Sequence, residues 1–506
     1  MDALLIKSFL PEIFLSLSIL AQLLFNIRIV TTLKYNYPII DLEAFSQTVF
    51  ILFCLFCLLI NLKLECFFTT FIFLNNEGNR LIKILLIFSS LCAILPIYRA
   101  FIAQKLNFFE FFSIFLFAIL SLLLLTCAHD LMSAYLCIEM QALCFYILAS
   151  FRRTSAISTE AGLKYFISGS FISCFFLLGT SFIYGTLGTT NFNAISLLLS
   201  FSFLETNSFN FFIIIGSLLI TITLLFKVSA VPFHFWTPDV YEGAPLSSTI
   251  IFAIIPKIVL FTFLIKWIFT ISNVIFEIKD LFLISGVLSI LFGTFFSLQQ
   301  KRIKRFIIYS SIAQVGFLIV ALAGNTLDGY SSIIFFLLIY ILTAILVWGH
   351  FGMLYFFEGI KNKFYLKPSV PLFLSNLSNL FSANKVWSLS FVIIFFSIAG
   401  IPPLSGFLSK VMILIGLLEK DQIIIVTIIA ILSTISVFYY IRVIKIIFFE
   451  ISKKKSHSLS TLKTDFLFRS ESFLFTILIF LLVYIFFYPD IFLLFSQYLI
   501  LSILGF

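Results

Sequence analysis

Runs of about twenty apolar residues follow one another from end to end of this chain, separated by short polar loops. A helix needs roughly 20 such residues to cross a bilayer. In lipid, only helices and closed barrels satisfy their own backbone hydrogen bonds. The sequence does not show the period-two alternation in segments of about 10 residues that marks a barrel. Of its 506 residues, 61% are hydrophobic and 11% charged, against about 25% charged in soluble domains. The expected fold is all-α and polytopic. Fourteen spans are read near 9–29, 43–62, 81–103, 108–128, 130–151, 160–186, 209–237, 245–269, 280–299, 304–324, 330–357, 385–417, 421–449 and 470–488. The stretch 491–506 is apolar but short and reads as interfacial. The seventh and twelfth spans are too long and too proline-marked to be single straight helices. No cleavable leader is expected, because the first run is long enough to span and no small-residue cleavage pattern follows it.

The loops carry charge unevenly. Those after odd-numbered spans hold Arg99, Arg152, Arg153, the run KRIKR (301–305), Lys361, Lys363 and SKKKSH (452–457) among others. Those after even-numbered spans hold only Lys63, Arg80, Lys266, Lys279 and Lys420. Basic loops stay inside, so odd loops are expected inside and both termini outside. The same rule accounts for the net charge of +9 without nucleic acid as a partner. Cys54 and Cys57 lie in an apolar run and read as packing residues, not as a zinc or redox site. The four histidines are scattered, and no dinucleotide or phosphate-loop motif is present, so no cofactor is expected in this chain. The 71 phenylalanines exceed what packing asks for and point to a T-rich organelle genome.

Four charges fall deep inside spans: Glu139 in LCIEMQALCF, Lys227 in LLFKVSAVPF, Lys257 in FAIIPKIVLF and Lys410 in AGIPPLSGFLSK. Each costs about 2.5–3.5 kcal/mol at a helix centre. Each lysine sits near a proline, which removes a helical hydrogen bond. Pro232 frees the carbonyl of Val228, Pro256 that of Phe252, and Pro402 and Pro403 those of Ile398 and Ala399. Interrupted helix is tolerated in a membrane only where it is buried in protein or lines a wet cavity. A freed carbonyl, a lysine and water together make a place where a proton resides and moves. Lys266, Lys301 and Lys420, near span ends, read as snorkelling lysines. Glu160 and Lys164 read as an i,i+4 surface pair.

These residues carry a resemblance. FKVSAVPFHFWTPDVYEGAP with PKIVLF, EMQALCFYILASFRRTSAISTEAGLKYFISGS, KRIKRFIIYSSIAQVGF, SIAGIPPLSGFLSK and SVFYYIRVIKIIFF resemble the antiporter-like subunit-2 family of NADH:ubiquinone oxidoreductase, respiratory complex I, in its mitochondrial form. The middle of the eleventh span and the segment 360–390 match poorly. The resemblance implies an N-terminal three-helix segment (1–106) and a first antiporter-like repeat (107–270, helices 4–8). A second, inverted repeat (271–450, helices 9–13) follows, each repeat with a broken helix, and then a matrix-side loop, last helix and tail (451–506). It implies a proton relay of Glu139, Lys227, Lys257 and Lys410. It implies no titratable role for Gln314, which stands where many members carry histidine. NAD, FMN, iron–sulfur clusters and ubiquinone would belong to other subunits. The partners would be other membrane-arm subunits, including antiporter-like ones, and lipids. The location would be the mitochondrial inner membrane, with both termini on the intermembrane-space side.

On this reading Glu139 beside Lys227 holds the ammonium charged, and their separation releases a proton toward Lys257, then Lys410 and the outer side, with Ser229, Ser248 and Tyr309 as candidate bridges. A cation/proton antiporter subunit, or a scaffold subunit that moves nothing, are the other readings the sequence allows.

Overall fold

The computed structural model describes residues 7–32, 38–62, 68–69, 72–104, 106, 108–202, 207–271, 275–361, 373–378, 380–450 and 469–504. The basic run 452–457 and Cys66 lie outside the described residues. In chain order the helices are α1 (Leu10–Thr32), α2 (Pro38–Asn61), α3 (Glu77–Ala103), α4 (Glu110–Cys127), α5 (Leu131–Ala149), α6 (Ala156–Leu187), α7 (Phe192–Ser202), α8 (Asn207–Val228), α9 (Trp236–Gly243), α10 (Leu246–Thr270), α11 (Ile275–Gln299), α12 (Ile303–Ala323), α13 (Leu327–Lys361), α14 (Leu380–Ala383), α15 (Lys385–Ala399), α16 (Ser405–Leu418), α17 (Ile423–Phe449), α18 (Arg469–Phe487) and α19 (Pro489–Leu504). A two-strand antiparallel hairpin, β1 (Phe68–Thr69) and β2 (Leu74–Asn75), precedes α3. Among the described residues thirteen helices are long and apolar enough to cross a membrane. The pair α15–α16, each too short alone, supplies the further crossing expected as the twelfth.

Lipid tails are as apolar as leucine, so close packing rather than hydrophobicity joins such helices. The α11–α12 hairpin shows how. A Cβ added at Gly293 would lie 2.7 Å from the backbone nitrogen of Ala313, and one at Gly316 would lie 2.8 Å from that of Ile290. Small residues thus let the two backbones touch. The centre of the bundle is α10, buried along almost its whole length, with α3 and α13 beside it. Leu17, Leu24, Ile424, Phe438 and Phe480 stand exposed on outer helices, as apolar surface that suits a bilayer or neighbouring membrane helices.

Both proline-marked spans are broken. α8 stops at Val228, Ser229 takes φ 69°, and the chain resumes as α9. α15 stops at Gly400 (φ 81°), where Gly400 and Ile401 both donate backbone N–H groups to Phe396 O, and α16 begins at Ser405. The break is a helix C-cap made by a left-handed glycine.

Charged side chains gather at the two ends of the bundle in the alternation that the loops suggested. Glu12, Lys83 and Lys266 meet at one end. Glu242, Asp239, Arg302 and Arg305 meet at the other, around a cleft of about 340 Å³ that Arg152 also lines. α19, read as interfacial, packs against α3 and α13. α18 runs antiparallel to α3, since Glu471 meets Arg99 while Phe475 packs by Pro96. α19 therefore starts toward the Gly78 end of α3, and its own Ile503 abuts Gly78.

Candidate functional site

Three of the four deep charges fall on one line through the middle of the bundle, and the fourth flanks it. Lys227 is the last basic residue of α8, just before the first break. Its Nζ is buried and makes no hydrogen bond. The carbonyls that the break exposes are taken by others: the Trp236 indole donates to Phe226 O at 3.1 Å, and Ala230 N donates to Leu225 O. Lys227 opens instead on a cavity of about 20 Å³, whose wall also holds Gln141, Tyr165, Tyr241 and Lys257. A water needs roughly 10–15 Å³ measured this way.

Lys257, 4% exposed, points across α10 to α13 and donates to Tyr340 Oη at 2.5 Å. Tyr340 in turn donates to Ala253 O at 3.1 Å. The carbonyl that Pro256 frees, Phe252 O, accepts from Tyr241 Oη at 3.1 Å. Tyr241 thus fills the gap that Pro256 leaves in the α10 ladder, and Tyr340 adds a second donor to the next carbonyl. Beyond Tyr340 lies a second cavity, of about 30 Å³, lined by Ser310, Ser311, Gln314, Thr343, Tyr440 and Ile398 among others. Gln314 Nε2 donates to Ile398 O at 3.3 Å. Lys410, 7% exposed, donates to that same Ile398 O at 3.0 Å and to Ala399 O at 2.7 Å. These are the two carbonyls that Pro402 and Pro403 were expected to free. The ammonium also stands 5.3 Å from the centre of the Phe317 ring, a favourable cation–π distance.

Glu139 is half-buried on α5, and its Oε1 has no hydrogen-bond partner. Between Glu139 and Lys227 there is no ion pair within 4.0 Å, so the expected side-by-side arrangement is open here.

Other expectations shift with the geometry. Ser248 bonds its own helix at Pro245 O, and the Tyr309 ring lies tilted against Phe296; neither lines the two cavities. Gln314, which cannot titrate, nonetheless sits on the line. Lys266 does not snorkel outward: it donates inward to Asn79 Oδ1 at 2.8 Å and Thr126 O at 2.5 Å. Glu160 and Lys164 do pair, at 2.8 Å, and Lys164 also reaches Asp239. Tyr340 and Tyr241 went unnoticed in the sequence. The available signal was a tyrosine and a threonine at i,i+3 in LLIYILTA, a polar stripe within an otherwise apolar run.

Comparison with known proteins gives the context. Residues 128–436 match the family described as NADH:quinone oxidoreductase/Mrp antiporter, TM. The chain is 33% identical over 495 residues to NADH-ubiquinone oxidoreductase chain 2 of Marchantia polymorpha, covering 95% of each. It is 41% identical over 357 residues to the chain of the same name in Rhizopus oryzae, covering 70% of this chain and 66% of that one. Among solved structures, a chain of respiratory complex I from Thermus thermophilus superposes with a TM-score of 0.74 at 22% identity, covering 96% of this chain and 98% of that one. That last likeness is one of fold.

Proposed function

Because the chain belongs to the NADH:quinone oxidoreductase/Mrp antiporter family of membrane subunits, we propose that its line of buried lysines is the path by which protons cross it. The chain is an antiporter-like subunit of an H+-translocating NADH:quinone oxidoreductase, and the redox chemistry is done by other subunits. NAD, FMN, iron–sulfur clusters and ubiquinone are theirs. Its neighbours are other membrane-arm subunits and lipid, and it is a multi-pass protein of the inner membrane. We place it in the mitochondrion, with odd loops on the matrix side and both termini in the intermembrane space, on the charge asymmetry of the loops. The units are those read in the sequence: 1–106, 107–270, 271–450 and 451–506.

The observation that carries the reading is continuity. Lys227 and Lys257 share a water-sized cavity, Lys257 touches Tyr340, Tyr340 borders the second cavity, and Gln314 and Lys410 meet on one carbonyl oxygen. Glu139 acts as the gate. Approach of the carboxylate holds the proton on Lys227, and withdrawal lets it go. The proton crosses the first cavity to Lys257. Tyr340 then takes it on the lone pair that already accepts from Lys257 while its own hydroxyl proton leaves Ala253 O for water in the second cavity, and Lys410 receives a proton from that water beside Gln314. A membrane potential opposes each charge by about 2.3 kcal/mol per 100 mV. Changes in ion pairing, worth roughly 1.36 kcal/mol per pH unit of proton affinity, are of the size required.

The test is Lys257→Ala in the assembled enzyme. Coupled pumping is expected to vanish while NADH oxidation by a hydrophilic acceptor persists. Full pumping in that variant refutes the relay.

A further inference from the structure

The central line leaves a second buried cluster unused, and it involves the N-terminal helices. Glu12 on α1 and Lys83 on α3 form an ion pair of 2.5 Å, with side chains 6% and 1% exposed. Lys83 also donates to Asn75 Oδ1 at 3.2 Å, which the Cys127 thiol approaches at 3.5 Å. Beside them Lys266, near the end of α10, rests on Asn79 Oδ1 and Thr126 O, both neutral. The cluster thus has two ammonium positions and one carboxylate. A buried site with uncompensated charge is costly, so with Glu12 ionised the cluster is balanced when one of its two lysines has given up a proton. Lysine, unlike arginine, gives up that proton readily when buried.

The cluster also has a way out. Lys266 is its half-buried member. His129, partly exposed on the turn between α4 and α5, follows three residues after Thr126, whose carbonyl holds Lys266. Burial and the Lys266 ammonium hold the imidazole below its ordinary value, and Asp130 works against them. Lys266 lies nine residues beyond Lys257 on α10, about 14 Å along the axis and on the opposite face, so the cluster does not extend the central line by contact. Across a dry helix that distance still transmits charge, because buried charges are little screened.

We propose that Glu12, Lys83 and Lys266 form a second protonation site, exchanging its proton with the outer side through His129 and biased by the charge on Lys257. This rests on the relay reading above. It gives the three-helix N-terminal segment a part in proton movement.

The experiment uses the assembled enzyme in sealed vesicles, with coupled turnover measured against a proton-motive force and normalised to NADH oxidation by a hydrophilic acceptor. Lys266→Met and Glu12→Gln are each expected to lower coupled turnover at least twofold, and uncoupler is expected to restore it. Lys266→Arg keeps the charge but cannot release the proton, so it should be as slow as Lys266→Met. Unchanged coupled turnover in both Lys266→Met and Glu12→Gln overturns the proposal, and so does rescue by Lys266→Arg, which would make Lys266 a fixed structural charge. If the Lys266 variants fail to assemble, Glu12→Gln, matched in shape, decides alone. Lys257→Ala runs in parallel: full pumping there sinks the relay, whereas lost pumping there with unaffected Glu12→Gln and Lys266→Met sinks only this site.

Discussion

At Gly400, conformation and chemistry make the same demand. Its φ of 81° lies where side chains are disfavoured, and an added Cβ would stand 2.9 Å from Lys410 Cδ and 3.1 Å from its Nζ. Gly400→Ala should therefore cost about 1–2 kcal/mol for the left-handed backbone and push the ammonium off the Ile398 and Ala399 carbonyls. The expected outcome is an enzyme that assembles and oxidises NADH but pumps poorly, read as protons moved per NADH. Tyr340 makes a sharper case, because one hydroxyl serves both Lys257 and Ala253 O. Tyr340→Phe keeps the ring and leaves the buried Lys257 ammonium without its hydrogen-bond partner, at about 1–3 kcal/mol. Coupled pumping should fall severalfold, with a few degrees lost in the thermal midpoint of the purified complex. Normal pumping in this variant would remove the tyrosine from the path.

At the scale of elements, the spans and both breaks were readable, and the reason is local. Twenty apolar residues and a membrane leave little choice but helix, and a proline beside a buried lysine marks where the ladder opens. The freed carbonyls at Ile398 and Ala399 could be named from Pro402 and Pro403 alone. What fills such openings could not be read, since Trp236, Tyr241 and Tyr340 arrive from other helices or from across a turn. In a chain with 18 tyrosines and 71 phenylalanines, one more aromatic carries no signal. Lys266 misled for a related reason: proximity to a helix end suggests snorkelling, but Asn79 and the Thr126 carbonyl supply an inward berth that only packing creates. The α11–α12 hairpin offers a test of how far small residues set helix spacing. Gly293→Val places a branched side chain where even a Cβ meets Ala313 N at 2.7 Å. Overpacking of this kind costs about 1–3 kcal/mol, and with backbone as the obstacle the upper end is expected. The amount of assembled complex on a native gel should drop, whereas Gly293→Ser should lose less.

Over the whole molecule, the N-terminal three-helix segment has to be held against the two repeats without a hydrophobic force between helices. Two buried polar ties do this. Lys266 of the central helix reaches Asn79 at one end of α3. At the other end Arg99 meets Glu471 of α18 at 2.7 Å, with side chains 4% and 7% exposed. The second tie joins the first part of the chain to the last and makes α3 a strut between them. Removing one partner of such a pair strands a buried charge, at about 3–5 kcal/mol, whereas replacing both by apolar groups of similar volume is often close to neutral. Arg99→Met and Glu471→Leu should each cut the yield of assembled enzyme strongly, and the double variant should recover much of it. Pumping per NADH in the recovered enzyme should match the parent, because neither residue lies on the line from Lys227 to Lys410. If the double variant assembles as poorly as the singles, the tie does more than neutralise charge, and its hydrogen-bond geometry is what seats α18 against α3.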